Sequence, residues 1–152
     1  MHLVVSNGKC RDTSDFTYIQ VGNCLQQEAK VWYFGKGAGI DFRKGIATLL
    51  QDGKLSTLEG CASMCDASGK LLFYTNGVTV WNGQHQVMPN DTNLAGHESA
   101  TQSAIIVPRP QNPNIYYIFT VDAVQNLLRR GLSYSVVDMT LDAGKGPLAT
   151  VL

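Results

Sequence analysis

No apolar run in this chain approaches the roughly 20 residues that a helix needs to cross a bilayer, so the sequence reads as not membrane-spanning. Nor is there an excess of charge. Twelve basic residues balance twelve acidic ones, which removes any general electrostatic pull toward nucleic acid, anionic membrane or an acidic substrate, and no nucleic-acid partner is expected. The opening "MHLVV" is much shorter than the about 7 to 15 apolar residues of a secretory signal, and no cleavage site follows it, so any export signal would lie outside this chain. H-E-x-x-H, G-x-S-x-G, phosphate-cradling and dinucleotide-binding motifs are all missing. The expectation is therefore a chain with no cofactor, no metal and no catalytic residues.

Cysteine is sparse and inconclusive. Cys10, Cys24, Cys61 and Cys65 permit two disulfides without requiring any, which leaves the redox compartment open. On one strand Cys61 and Cys65 would lie about 13 Å apart, too far for a mutual bond. A lone C-x3-C lacks the second close pair that zinc needs.

What the chain does have is hydrophobic content, 44% of its 152 residues, and fifteen glycines. That combination suits one domain of strands and turns better than a helical bundle. Apolar residues recur mainly at period two, broken by turn residues every 8 to 12 positions. In "LLFYTNGVTVWN" (71–82), Asn76-Gly77 predicts a two-residue type I′ turn joining two strands. A shift of 40 residues lays "VWYFGKGAGI" (31–40) over "LLFYTNGVTV", and a shift of 45 lays "YYIFT" (116–120) over "LLFYT". The third copy inserts "VDAVQNLLRRG" (121–131), read as a short helix capped by Asp122, ended by Gly131 and apolar along Val124, Leu127 and Leu128. "FTYIQV", "CASMC" and "SAIIV" supply a strand ahead of each hairpin, and "IATLL" and "HQVM" are candidates for a fourth. Within the copies, "GKGAG" (35–39) and "DASG" (66–69) read as turns, not as a phosphate loop or an Asp-box.

Units of 40 to 50 residues with three or four strands have the period of β-propeller blades. The fold expected is all-β, made of antiparallel β-meanders forming about three blades of an incomplete β-propeller. Residues 31–152 would form the partial propeller, and 1–30 an N-terminal extension or the end of a preceding module that lends a strand to the first blade. Three blades leave two open faces, so later blades or self-association would complete the ring.

Four blocks carry a resemblance: "WYFGKGAGIDF" (32–42), "LEGCASMCDASGKLLFYTNGVTVWNGQHQVMPN" (58–90), "GHESATQSAIIVPRPQNPNIYYIFTVDA" (96–123) and "GLSYSVVDM" (131–139). Together they resemble the propeller-like N-terminal region of large Bacteroidetes surface proteins exported by type IX secretion and associated with gliding motility. Such proteins often continue into PKD or other immunoglobulin-like modules and a sorting domain. The resemblance implies an extracellular or cell-surface location and a role in adhesion. Here some thirty residues precede the first block, where that family has it close behind a signal peptide.

Two functions follow as expectations. The first is a non-catalytic surface module that binds proteins or glycans, or acts as a scaffold within a larger adhesin-like protein. The alternative is part of a propeller enzyme, a hydrolase or lyase acting on glycans, since fold alone does not decide. The polar connection 83–102 is the expected ligand-binding segment, with Trp81, His85, His97 and Gln102 as contacts. Phe73 and Tyr74, whose counterparts recur in the other copies, are expected in packing.

Overall fold

The computed structural model describes residues 2–6, 9–14, 17–23, 27–89, 94–141 and 148–151, with side chains over 27–89 and 94–141. Every ladder among them is antiparallel and joins strands that are neighbours in sequence. Strands β1 (His2–Ser6), β2 (Lys9–Ser14) and β3 (Thr17–Asn23) form one sheet, and β4 (Val31–Phe34), β5 (Ala38–Asp41) and β6 (Thr48–Leu50) a second. The third sheet is β7 (Ala62–Cys65), β8 (Leu71–Thr75) and β9 (Val80–Asn82). The fourth is β10 (Ala104–Pro108), β11 (Ile115–Val121), β12 (Leu132–Asp138) and β13 (Leu148–Val151). A 3-10 turn, Val124–Asn126, is the sole helical element among the described residues.

The fold is all-β and built of antiparallel meanders. The last three sheets stand side by side through their first strands, β4 against β7 and β7 against β10, in a partial, propeller-like arrangement. Strand β8 shows why. Phe73 and Tyr74 are consecutive, so their side chains point to opposite faces, yet both are completely buried. Phe73 joins Met64, Val80, Ile118 and Val137 between the third and fourth sheets. Tyr74 joins Val31, Tyr33, Leu55 and Cys65 between the second and third. A strand dry on both faces has to be sandwiched. The outer face of the fourth sheet leaves Ile105, Phe119 and Leu132 exposed.

Several sequence expectations need correction. The strand over "FTYIQV", expected to lead the first unit, pairs as β3 with β2 in a sheet of its own. Strand β4 therefore takes the first position, so the 40-residue overlay is out by one strand: "VWYF" corresponds to β7, not to β8. "HQVM" contributes one isolated bridge, Trp81 to Val87, and no fourth strand.

The Asn76-Gly77 turn is also different. Thr75 pairs with Val80, which leaves four loop residues, and only Gly77 takes a positive φ, +85°. Side chains explain the change. Thr75 Oγ1 accepts from Gly77 N–H at 2.9 Å, while Asn76 Oδ1 accepts from the Val78 and Thr79 amides at 3.0 and 2.9 Å. This Asx-type bonding offers the backbone an alternative to the tighter turn.

Between β11 and β12 the expected short helix is reduced to the 3-10 turn, and Asp122 does not cap it through a side-chain bond. Its buried carboxylate accepts from Ala123 N–H, Asn126 Nδ2 and Arg130 N–H instead.

The two glycine-bearing stretches are turns. Gly35 and Gly37 adopt positive φ in the β4–β5 connection, and Asp66 Oδ1 accepts from Ser68 N–H, Ser68 Oγ and Lys70 N–H. Cys61 and Cys65 are free thiols, and burial pushes both thiol pKa values up. The side chains of Cys10 and Cys24 lie outside the described residues.

Candidate functional site

Strand alternation in "VWYF" sends Val31 and Tyr33 inward and leaves Trp32 and Phe34 on the other side, 50% and 36% exposed. These two aromatics help line a cleft of about 370 Å³ along the first strands of the three meanders, with Ser63, Gln102, Ile105 and Ile106 among its other walls. The indole of Trp32 is held in place: Nε1–H donates to Ala29 O at 2.8 Å, and the ring meets Phe42 edge-on at 5.4 Å. Side chains of β7 and of the residue just before it satisfy the open edge of β4. Tyr33 N–H donates to Ser63 Oγ at 2.9 Å and Cys61 Sγ–H to Tyr33 O at 3.4 Å. Ser63, which lines the cleft, accepts this bond and retains an O–H donor of its own.

Behind this wall lies an aromatic stack. The Tyr33 and Tyr74 rings lie 4.6 Å apart and Tyr74 and Trp81 5.5 Å apart, both pairs stacked. His85, with φ +62°, stands edge-on to Tyr33 at 5.3 Å. Its turn is shaped by Asn82, whose Oδ1 accepts from the Gln84 and Gln86 amides.

A polar circuit closes around these rings. Tyr33 O–H donates to Asp52 Oδ1 at 2.7 Å, and His85 Nε2 lies 3.3 Å from Asp52 Oδ2. Tyr74 Oη accepts from Lys54 N–H at 3.0 Å and lies 3.1 Å from His85 Nδ1. One proton assignment satisfies every group: Tyr74 donates to Nδ1, and Nε2–H donates to Asp52. Burial, reinforced by Asp52, pushes the Tyr33 pKa up, and burial does the same for Tyr74. The Tyr33 hydrogen bond holds the Asp52 carboxyl below the usual range. The circuit thus engages both phenol hydroxyls and both Asp52 oxygens in mutual hydrogen bonds and contacts. It bridges the second and third sheets and their connections.

Two predictions arise here. Tyr74→Phe leaves the Lys54 amide and His85 Nδ1 without their partner, and should lower unfolding free energy by about 1–3 kcal/mol in urea titration. Because the folded-state pKa of Asp52 is depressed, its contribution is present above the unfolded value of about 4 and is lost as pH falls through the lower folded value. Stability measured across that acidic window should fall less steeply for Asp52→Asn than for the wild type.

Of the four residues expected as contacts, Trp81 and His85 meet at Tyr74, and Trp81 packs against the buried cluster between sheets. Gln102 lines the axial cleft instead. His97 is turn-bonded, its Nδ1 accepting from Ser99 N–H at 3.1 Å. The structure thus distributes the four over three local settings. The residues missed were Trp32 and Phe34, for which strand alternation was the available signal, and Asp52, for which sequence offered none. Among the described residues no group of three or more His, Cys, Asp or Glu side chains is placed to hold a metal ion, and no helix is long and apolar enough to cross a membrane.

Compared with protein-family models, with curated proteins and with solved structures, the chain matches none.

Proposed function

We propose that this chain is a non-catalytic interaction module of a larger secreted, adhesin-like surface protein, and that it binds a glycan or protein through the axial cleft. The observation that carries this reading is the pairing of two exposed aromatics on one rigid strand, Trp32 and Phe34, with the polar groups of Ser63 and Gln102 across the same cleft. Aromatic faces stack on apolar ligand surfaces, sugar C–H faces included, while a few placed donors set orientation. The resemblance of the four sequence blocks to type IX-secreted, gliding-associated proteins supports the location and the adhesive role. The test is a titration with a panel of soluble oligosaccharides and extended peptides, followed by Trp fluorescence. Trp32→Ala should weaken binding about tenfold or more, the scale of an interface hot spot. Unchanged affinity in a Trp32→Ala/Phe34→Ala chain would remove the reading.

A second reading, part of a glycan-cleaving propeller enzyme, draws on the meeting of Asp52, His85 and two tyrosines. The mutual satisfaction of these groups argues for the binding module. Release of new sugar ends by the wild-type chain, lost in His85→Ala, would reverse that ranking.

A further inference from the structure

The connection from Asp122 to Gly131 has a construction that neither the core nor the axial cleft explains. Its base is closed by Asp122 N–H donating to Gly131 O at 3.1 Å, and the three bonds accepted by the Asp122 carboxylate brace it from within. On this frame Leu127 and Leu128 both take left-handed backbone conformations, φ +56° and +54°, which branched L-residues ordinarily avoid. The braced loop holds apolar groups in solvent: Val124 is 75%, Leu127 73% and Leu128 55% exposed. Arg129 and Arg130 follow directly, both exposed, and neither forms an ion pair among the described residues. Beside them is a hollow of about 360 Å³ lined by Asp122, Gln125, Asn126, Leu127 and the two arginines.

A simple connector would be polar, and apolar residues meant for the core would turn inward. This tip instead combines three aliphatic side chains with two guanidinium groups and contains no aromatic residue. Protein hot spots centre on aromatic and arginine anchors. Aliphatic groups beside cations suit a boundary where anionic oxygens overlie hydrocarbon. The chain's zero net charge confines any such attraction to this local pair.

We propose that the β11–β12 loop docks the protein on an anionic lipid surface, with Val124, Leu127 and Leu128 entering the acyl boundary and Arg129 and Arg130 binding headgroup phosphate oxygens. This surface is separate from the axial cleft, so Trp32→Ala should leave it intact.

The test is co-sedimentation of the full chain with phosphatidylcholine vesicles, with and without phosphatidylserine. The wild type should bind the anionic vesicles more strongly, and added salt should weaken that binding. Neutralising each arginine by glutamine should cost about fivefold, and Leu127→Ser/Leu128→Ser should cost about tenfold or more. Because these side chains are exposed, thermal melting should change little. If the leucine pair does disturb folding, Val124→Ser, outside the left-handed positions, carries the same expectation at several-fold. Absence of binding to anionic vesicles, or binding indifferent to these aliphatic residues, overturns the proposal. Dimers in vesicle-free sedimentation velocity that vanish with the leucine pair would also overturn it, by making a second copy the occupant.

Discussion

Replacing Gly77 by alanine should lower unfolding free energy by roughly 2–5 kcal/mol, a large part of the about 5–15 kcal/mol that holds a typical domain. Two costs combine. At φ +85° an alanine carries the left-handed penalty of about 1–2 kcal/mol. Its Cβ would also overlap Ser103 Oγ and come within 2.9 Å of Ser103 O, an overpacking cost of about 1–3 kcal/mol. Ser103 cannot move away freely. It is fully buried, its Oγ–H donates to Asn76 O at 2.6 Å, and its carbonyl accepts from Val121 N–H. Gly96 closes the other side, since a Cβ there would strike Gly77 O, which itself accepts from Gly96 N–H at 3.0 Å. The tip of the β8–β9 hairpin is thus pressed against the start of β10, a contact between successive meanders. Gly35→Ala is the control. Its φ is +59°, but an added Cβ meets nothing within 4 Å, so only the backbone term of about 1–2 kcal/mol should appear. Urea titration of both variants checks the argument, and equal losses would show that the Ser103 contact matters little.

The same hairpin marks how far sequence reasoning reached. Its existence was legible because alternating strand formers around Asn-Gly have few other solutions. The turn type was not, because Thr75 and Asn76 direct their side chains to the loop amides and because the loop has to fit against Ser103 and Gly96, distant in sequence. The repeat was legible as a period but misaligned by one strand. Hairpins β4–β5 and β8–β9 look alike locally, and whether a hairpin opens a meander depends on the partner of the strand before it. Strand β3 pairs backward with β2, a choice its composition does not reveal. In 121–131 the spacing of Val124, Leu127 and Leu128 imitates a helix face, but among the described residues nothing covers that face and Asp122 braces the segment into another shape.

The candidate site was legible only in fragments, for a related reason. Trp81 and His85 are close in sequence and remain together. Tyr33 and Asp52, which complete the circuit with His85, come from the second sheet and the connection that follows it. Gln102 reaches the cleft on the approach to β10, seventy positions beyond Trp32. Residues of one strand can be assigned to faces by parity. Which face then meets another sheet is decided by packing order, and that is long-range information.

Packing order leads to the second large effect, Phe73→Ala, expected to cost about 3–5 kcal/mol. Phe73 is completely buried between the third and fourth sheets and meets Tyr116 edge-to-face at 5.5 Å. Its removal opens a cavity whose walls, Met64, Val80, Ile118 and Val137, belong to strands fixed by their own ladders, so little collapse can offset the loss. Trp81 is the informative comparison in the same hairpin. It is only partly buried and sits at the outer end of the Tyr33–Tyr74 stack, so Trp81→Ala should cost about 1–2 kcal/mol, the stacking term plus partial burial. Phe34→Ala, on the exposed wall of the cleft, should be within about 1 kcal/mol of wild type. Thermal or urea melts of the three variants would then order the aromatics as Phe73, Trp81 and Phe34, from structural to ligand-facing. A Phe34→Ala loss equal to that of Phe73→Ala would assign the cleft aromatics to the core and count against the cleft as a binding surface.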